Sequence, residues 1–114
     1  MDRHLIELAA RVAARGQHNR GFFVGAAARR NDGATVSAFN GRTPKPDRCC
    51  HAEYRLRAKL DVGSVVYVAR VMRSGELAMA RPCKDCEKAL KSRGVKRVYY
   101  TIGPAEFGRM DLGR

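Results

Sequence analysis

Apolar residues recur along this chain with two periods, and the switches between them predict its elements. Over residues 2–15, Leu5, Leu8, Ala9 and Val12 fall at i, i+3, i+4 and i+7, one face of a helix that Gly16 ends. Two short apolar runs follow, Phe22 to Arg29 and Ala34 to Phe39. Asn31-Asp32-Gly33 lies between them, and a turn signal between two such runs predicts a β-hairpin. Residues 40–49 hold Gly41, Pro44 and Pro46 and read as a loop. Beyond it Ala52, Leu56 and Leu60 repeat every four residues while Arg55, Arg57 and Lys59 point elsewhere, the pattern of an amphipathic helix. Ser64 to Met72 reads as a buried strand, and Ser74-Gly75 turns the chain. Pro82 to Arg93 is a helix, with proline near its first turn and Gly94 past its end. Lys96 to Ile102 is a last strand, and the remainder reads as irregular.

The order α-ββ-α-β-α-β, with helices between the later strands, predicts a single α/β domain over residues 1–114. Its expected architecture is a three-layer α/β/α sandwich on a mixed sheet. Composition agrees: 114 residues, 45% of them apolar, suffice for one core and do not call for a second domain. No apolar stretch approaches the roughly 18 residues that span a bilayer. The segment Met1-Asp2-Arg3-His4-Leu5-Ile6-Glu7 lacks the apolar centre of a signal peptide. A cytoplasmic location without a membrane partner is the expectation. The formal net charge of +12 is spread along the chain instead of sitting in a tail. Such a surface attracts phosphate-bearing partners in a salt-dependent way, and it equally keeps a small protein in solution.

The four cysteines, Cys49, Cys50, Cys83 and Cys86, change the picture more than the charge does. Without a secretion signal, Pro82-Cys83-Lys84-Asp85-Cys86 reads as metal or redox chemistry in a reducing compartment. Cys83 and Cys86, at i and i+3, share one side of a first helical turn. His51-Ala52-Glu53 opens the preceding helix. His51 and Glu53, at i and i+2, cannot share a lateral face and converge only around an object beyond the helix end. Two helix starts facing one ion would assemble His51, Cys83 and Cys86. Three protein ligands leave a position for water, as a catalytic zinc site does, and Glu53 is then free to carry protons. The alternatives are a closed structural zinc knuckle completed by Cys49 or Cys50, and a redox dithiol at Cys83 and Cys86. The dithiol leaves His51 and Glu53 without a role.

H-x-E followed by P-C-x-x-C is the zinc deaminase signature, and the chain resembles the cytidine and deoxycytidylate deaminase superfamily over roughly residues 22–102. Val24-Gly25-Ala26-Ala27-Ala28 followed by Asp32-Gly33 is similar to that family's first hairpin. Asn40-Gly41-Arg42-Thr43-Pro44 is similar to a loop of deoxycytidylate deaminases that carries a substrate-contacting Asn. Gly94 to Tyr100 resembles the deoxycytidylate, tRNA adenosine and polynucleotide (APOBEC-like) branch, in which the last two core strands run parallel.

The resemblance implies that His51, Cys83 and Cys86 bind Zn2+ and that Glu53 shuttles protons. It implies that Asn40 contacts the substrate sugar and the backbone of Ala52 the base. Phe23, or its neighbour Phe22, is a candidate stacking face for that base, and Arg42, Lys45 and Arg48 are candidate phosphate contacts. The activity implied is hydrolytic deamination of cytosine to uracil, in a free nucleoside or nucleotide or in single-stranded DNA or RNA. Adenosine deamination, and a non-catalytic zinc-stabilised nucleic-acid-binding module, are the competing readings. Two departures stand out. The chain is C-terminally short, which leaves strand 96–102 an exposed edge open to pairing with a second copy. Cys49-Cys50 has no assignment in the family pattern, and adjacent cysteines are poorly placed for an ordinary disulfide.

Overall fold

Asp2 sets the start of the first helix, α1 (Arg3–Arg15): its carboxylate accepts the His4 N–H at 2.9 Å and its carbonyl accepts from Leu5 and Ile6. The same residue donates its N–H to the Tyr67 hydroxyl and pairs with Arg29 at 2.7 Å, so the helix start is tied to two strands of the sheet. The computed structural model describes residues 1–15, 22–39 and 52–113, which include strands β1 (Phe22–Arg29) and β2 (Thr35–Phe39) and helix α2 (Ala52–Leu56). One 3-10 turn (Arg57–Lys59) continues α2. Then come β3 (Val65–Met72), β4 (Leu77–Ala78), α3 (Lys84–Ser92), β5 (Arg97–Gly103) and β6 (Glu106–Asp111). The expected end of α1 at Gly16 and the loop at 40–49 lie outside the described residues.

One mixed sheet runs in the order β2-β1-β3-β5-β6, with β4 paired to β3. Only β3 and β5 are parallel; the other pairs are antiparallel. Strand alternation sorts the sheet residues onto two faces. Ala27, Tyr67 and Ala69 pack under α1 with Leu5, Ile6 and Ala9. Ala26, Ala28, Val66, Val68, Val98 and Tyr100 pack on the other face with Ala52, Leu56 and Leu60 from the α2 segment and Leu90 from α3. The sheet is therefore the middle of three layers, as the element order predicts.

The small residues of β1 let α1 lie against the sheet at close range. A Cβ at Gly25 would stand 2.1 Å from the Ala9 carbonyl oxygen and 2.5 Å from the Ala13 nitrogen. Only glycine allows this contact.

The structure corrects the sequence reading at the C-terminal end. Residues 106–111 are not irregular: they form β6, which pairs antiparallel with β5 from Arg97↔Asp111 to Gly103↔Glu106. Strand 96–102 is consequently not an exposed edge, and its proposed pairing with a second copy loses its physical basis. The β3–β5 pair is parallel, but the strand that ends the sheet is antiparallel, unlike the final pair of the branch that Gly94 to Tyr100 resembles. The signal was weak because Gly103, Pro104, Gly108 and Gly113 read as loop residues. Gly108 is in register with Tyr100, and a Cβ there would lie 2.3 Å from the tyrosine ring, so the glycine makes room for the ring. Strand β4 was also missed, being two residues long, although the Ser74-Gly75 turn that delivers it is where the sequence puts it.

Candidate active site

The first turn of α3 carries the two cysteines. Cys83 is its N-cap residue, in extended conformation, and its Sγ accepts the Cys86 N–H at 3.5 Å. Its carbonyl accepts the Glu87 N–H at 2.8 Å, the first bond of the helix. Cys83 is exposed and Cys86 is buried. Two sulfurs one turn apart are a donor set suited to zinc.

Helix α2 is short and lies across the same face of the sheet, in contact with β2, β1 and α3. Ala52 and Leu56 are fully buried in the core below it. Glu53, in its first turn, is only 6% exposed. Burial pushes its carboxyl pKa up to about 7, opposed by a hydrogen bond from its own backbone N–H. Glu53 therefore stands in the layer that also carries Cys83 and Cys86, on the first turn of the neighbouring helix.

Two cations pin α2 to the sheet edge. Arg55 donates to the Phe39 carbonyl at 3.1 Å and lies over the Phe39 ring at 5.5 Å, while Lys59 donates to the Ser37 carbonyl at 2.7 Å. Strand β2 ends at Phe39, so the chain leaves it beside α2 at the residue before Asn40. The four-residue repeat puts Arg55 and Lys59 off the apolar face, and both are exposed, but it gives no hint of this anchoring. Cation–π and carbonyl contacts across elements leave no periodic trace.

His51, Asn40, Arg42, Lys45, Arg48, Cys49 and Cys50 lie outside the described residues, and so does the side chain of Phe22. Phe23 is described. Alternation along β1 puts it with Gly25 and Ala27 on the face that α1 covers, and it is 9% exposed. Val24, on the opposite face, packs with the core that holds Ala52. The sequence could not set this phase, because the small residues Gly25 to Ala28 fit either face. One residue was missed altogether. Thr101, on β5, is fully buried and bonds to the chain that leads into Cys83. A threonine inside a β-branched strand carries no distinguishing signal.

A family model for the cytidine and deoxycytidylate deaminase zinc-binding region matches residues 1–102. Among solved structures, the chain is similar to a cytidine deaminase from Burkholderia pseudomallei at a TM-score of 0.73 and 21% identity, covering 98% of this chain and 94% of that one. It is similar to a cytidine deaminase from Mycobacterium tuberculosis at 0.62 and 24% identity, over 96% and 88% of the two chains. For one from Mycobacterium leprae the values are 0.60 and 22%, over 93% and 90%. Likenesses at these identities establish the fold. No curated protein matches the chain significantly by sequence. No helix among the described residues is long and apolar enough to cross a membrane. The family match spans both signature segments and describes a zinc-binding region, so the chain belongs to the cytidine and deoxycytidylate deaminases, and zinc is its metal.

Proposed function

We propose that this protein hydrolyses the exocyclic amine of cytosine in a free nucleoside or nucleotide, giving uracil and ammonia. His51, Cys83 and Cys86 are the zinc ligands in this reading, and Glu53 is the proton carrier. The observation that carries it is the buried Glu53 carboxyl on the first turn of α2, in the same layer as the helix start that presents Cys83 and Cys86. A carboxyl held out of bulk water beside a reacting group is suited to take up a proton and return it. Zinc, when bound, would supply Lewis-acid activation of the attacking water.

The remaining roles belong to side chains and backbone. Glu53 takes a proton from the water as its oxygen adds to C4 of the ring and delivers it to N3; it then takes the proton of the new C4 hydroxyl and passes it to the departing amine. The C4–N bond breaks, ammonia leaves and the C4 carbonyl forms. Asn40 holds the sugar and the backbone of Ala52 meets the base. Arg42, with Lys45 and Arg48, offers positive charge to a phosphate where the substrate has one.

Two observations favour a small substrate over a polynucleotide. The sheet ends in the antiparallel β5–β6 hairpin, and the fold follows cytidine deaminases along nearly their whole length. The test is a mass-spectrometric deamination screen of the zinc-loaded protein with cytidine, deoxycytidine, dCMP, adenosine and single-stranded DNA and RNA, at two salt concentrations. Cytidine, deoxycytidine or dCMP is expected to turn over, with little salt dependence for the nucleosides. Preference for a single strand that fades with salt would overturn the substrate size, and turnover of adenosine alone would overturn the base.

A further inference from the structure

Strand β4 enters the sheet at a fork. β3 and β5 pair in parallel from Val65↔Arg97 to Val68↔Tyr100. Farther along, the same edge of β3 pairs with β4 instead, through Arg70↔Ala78 and Val71↔Leu77. Thr101 stands where the two partners diverge, with no exposed surface. Its hydroxyl donates to the Ala78 carbonyl at 2.6 Å and accepts the Arg70 N–H at 3.2 Å. Its own carbonyl accepts the Ala80 N–H at 2.9 Å.

One residue thus replaces the ladder bonds that splaying removes, and clamps the chain over Ala78–Ala80. Cys83 lies only three residues beyond Ala80, and the buried Pro82 between them has a fixed φ that leaves little slack. Packing alone does not call for threonine here, because valine has the same shape. What the hydroxyl adds is a partner for a carbonyl and an N–H that would otherwise be stranded in the fork.

We propose that Thr101 is a positioning residue for the metal site: its clamp on Ala78–Ala80 sets where Cys83 and Cys86 stand at the end of the sheet. The inference rests on the reading that these two cysteines hold zinc. Ligand geometry tolerates errors of only about 0.5 Å, so a clamp three residues away is close enough to matter.

The test is zinc affinity, measured by competition with a chromophoric chelator, alongside urea unfolding of each variant. Thr101→Val is expected to bind zinc about 10- to 100-fold more weakly, the range for residues that support metal ligands, and Thr101→Ser to return within about threefold of wild type. Val98→Ala opens a cavity at a fully buried site on the same strand and serves as the control. It is expected to lower stability while leaving zinc affinity unchanged. Should Thr101→Val not fold, Thr101→Ala is the second variant, with the same direction expected.

Equal affinity of Thr101→Val and wild type, with Cys83→Ser deficient in zinc, overturns the positioning role alone. So does an equal loss in Val98→Ala, which would mean general loosening. A wild-type protein that binds no zinc, or a Cys83→Ser variant that binds it normally, overturns the ligand assignment and the proposal together.

Discussion

At the scale of single residues, two carboxylates show how environment decides what an acid does. Glu53 loses water and its pKa rises; Asp61 gains partners and its pKa falls. The largest cause at Asp61 is the Ser64 hydroxyl, which donates at 2.6 Å, followed by the Asn31 N–H at 2.8 Å, with Arg30 adding charge. Asp61 thereby ties the tip of the β1–β2 hairpin to the approach to β3. A carboxylate whose native pKa is depressed contributes stability that is complete above its unfolded pKa and lost as pH falls through the native one. Asp61→Asn is therefore expected to be less stable than wild type at pH 7, with the gap closing in acid. Urea midpoints at neutral and acid pH check this, and a gap that stays constant across that range would contradict it. At this scale the sequence was most informative where chemistry needs particular atoms at a particular spacing. His51, Glu53, Cys83 and Cys86 could be singled out from identity and spacing alone. The hydrogen bonds of Thr101 and the face taken by Phe23 could not be read, since they depend on which elements lie alongside.

At the scale of elements, α1 lies directly against the backbone of β1. Gly25 sits under Ala9 and Ala13, and the atoms in the way of a Cβ are backbone, which cannot rotate aside. Gly25→Ala must push the helix off the sheet, and is expected to cost about 3 kcal/mol, the upper end of ordinary overpacking. Equilibrium urea unfolding reads this directly; a loss below about 0.5 kcal/mol would show that α1 is free to shift. Helices and strands with strong periodicity lie within a residue or two of their expected bounds, as α1, β1, β2, β3, α3 and β5 do. The misses are β4 and β6. One is too short to show a period, and the other has a glycine where a strand would usually carry a side chain. The residue that explains that glycine, Tyr100, lies on another strand. Long-range partners of this kind are what a local pattern cannot contain.

For the whole molecule, the three layers put the chemistry on one side. α1 covers one face of the sheet, while α2 and α3 share the other, so Glu53, Cys83 and Cys86 belong to one layer. With 23 Lys and Arg against 11 Asp and Glu, positive charge is in excess however the acids pair; ion pairs among the described residues include those of Arg29, Arg30, Arg97 and Arg109, at or near the surface. This excess attracts anions at long range and falls with salt, which makes it a modifier of substrate approach and not a definition of the function. In the proposed function, the buried Glu53 carboxyl carries the proton. The most direct measurement is ammonia release from cytidine by zinc-loaded wild type and Glu53→Gln, with zinc content determined on the same samples. Glu53→Gln is expected to keep its fold and its zinc and to lose at least about 100-fold in rate, the lower end for a positioned acid–base group. Wild-type turnover by a zinc-replete Glu53→Gln protein would contradict it.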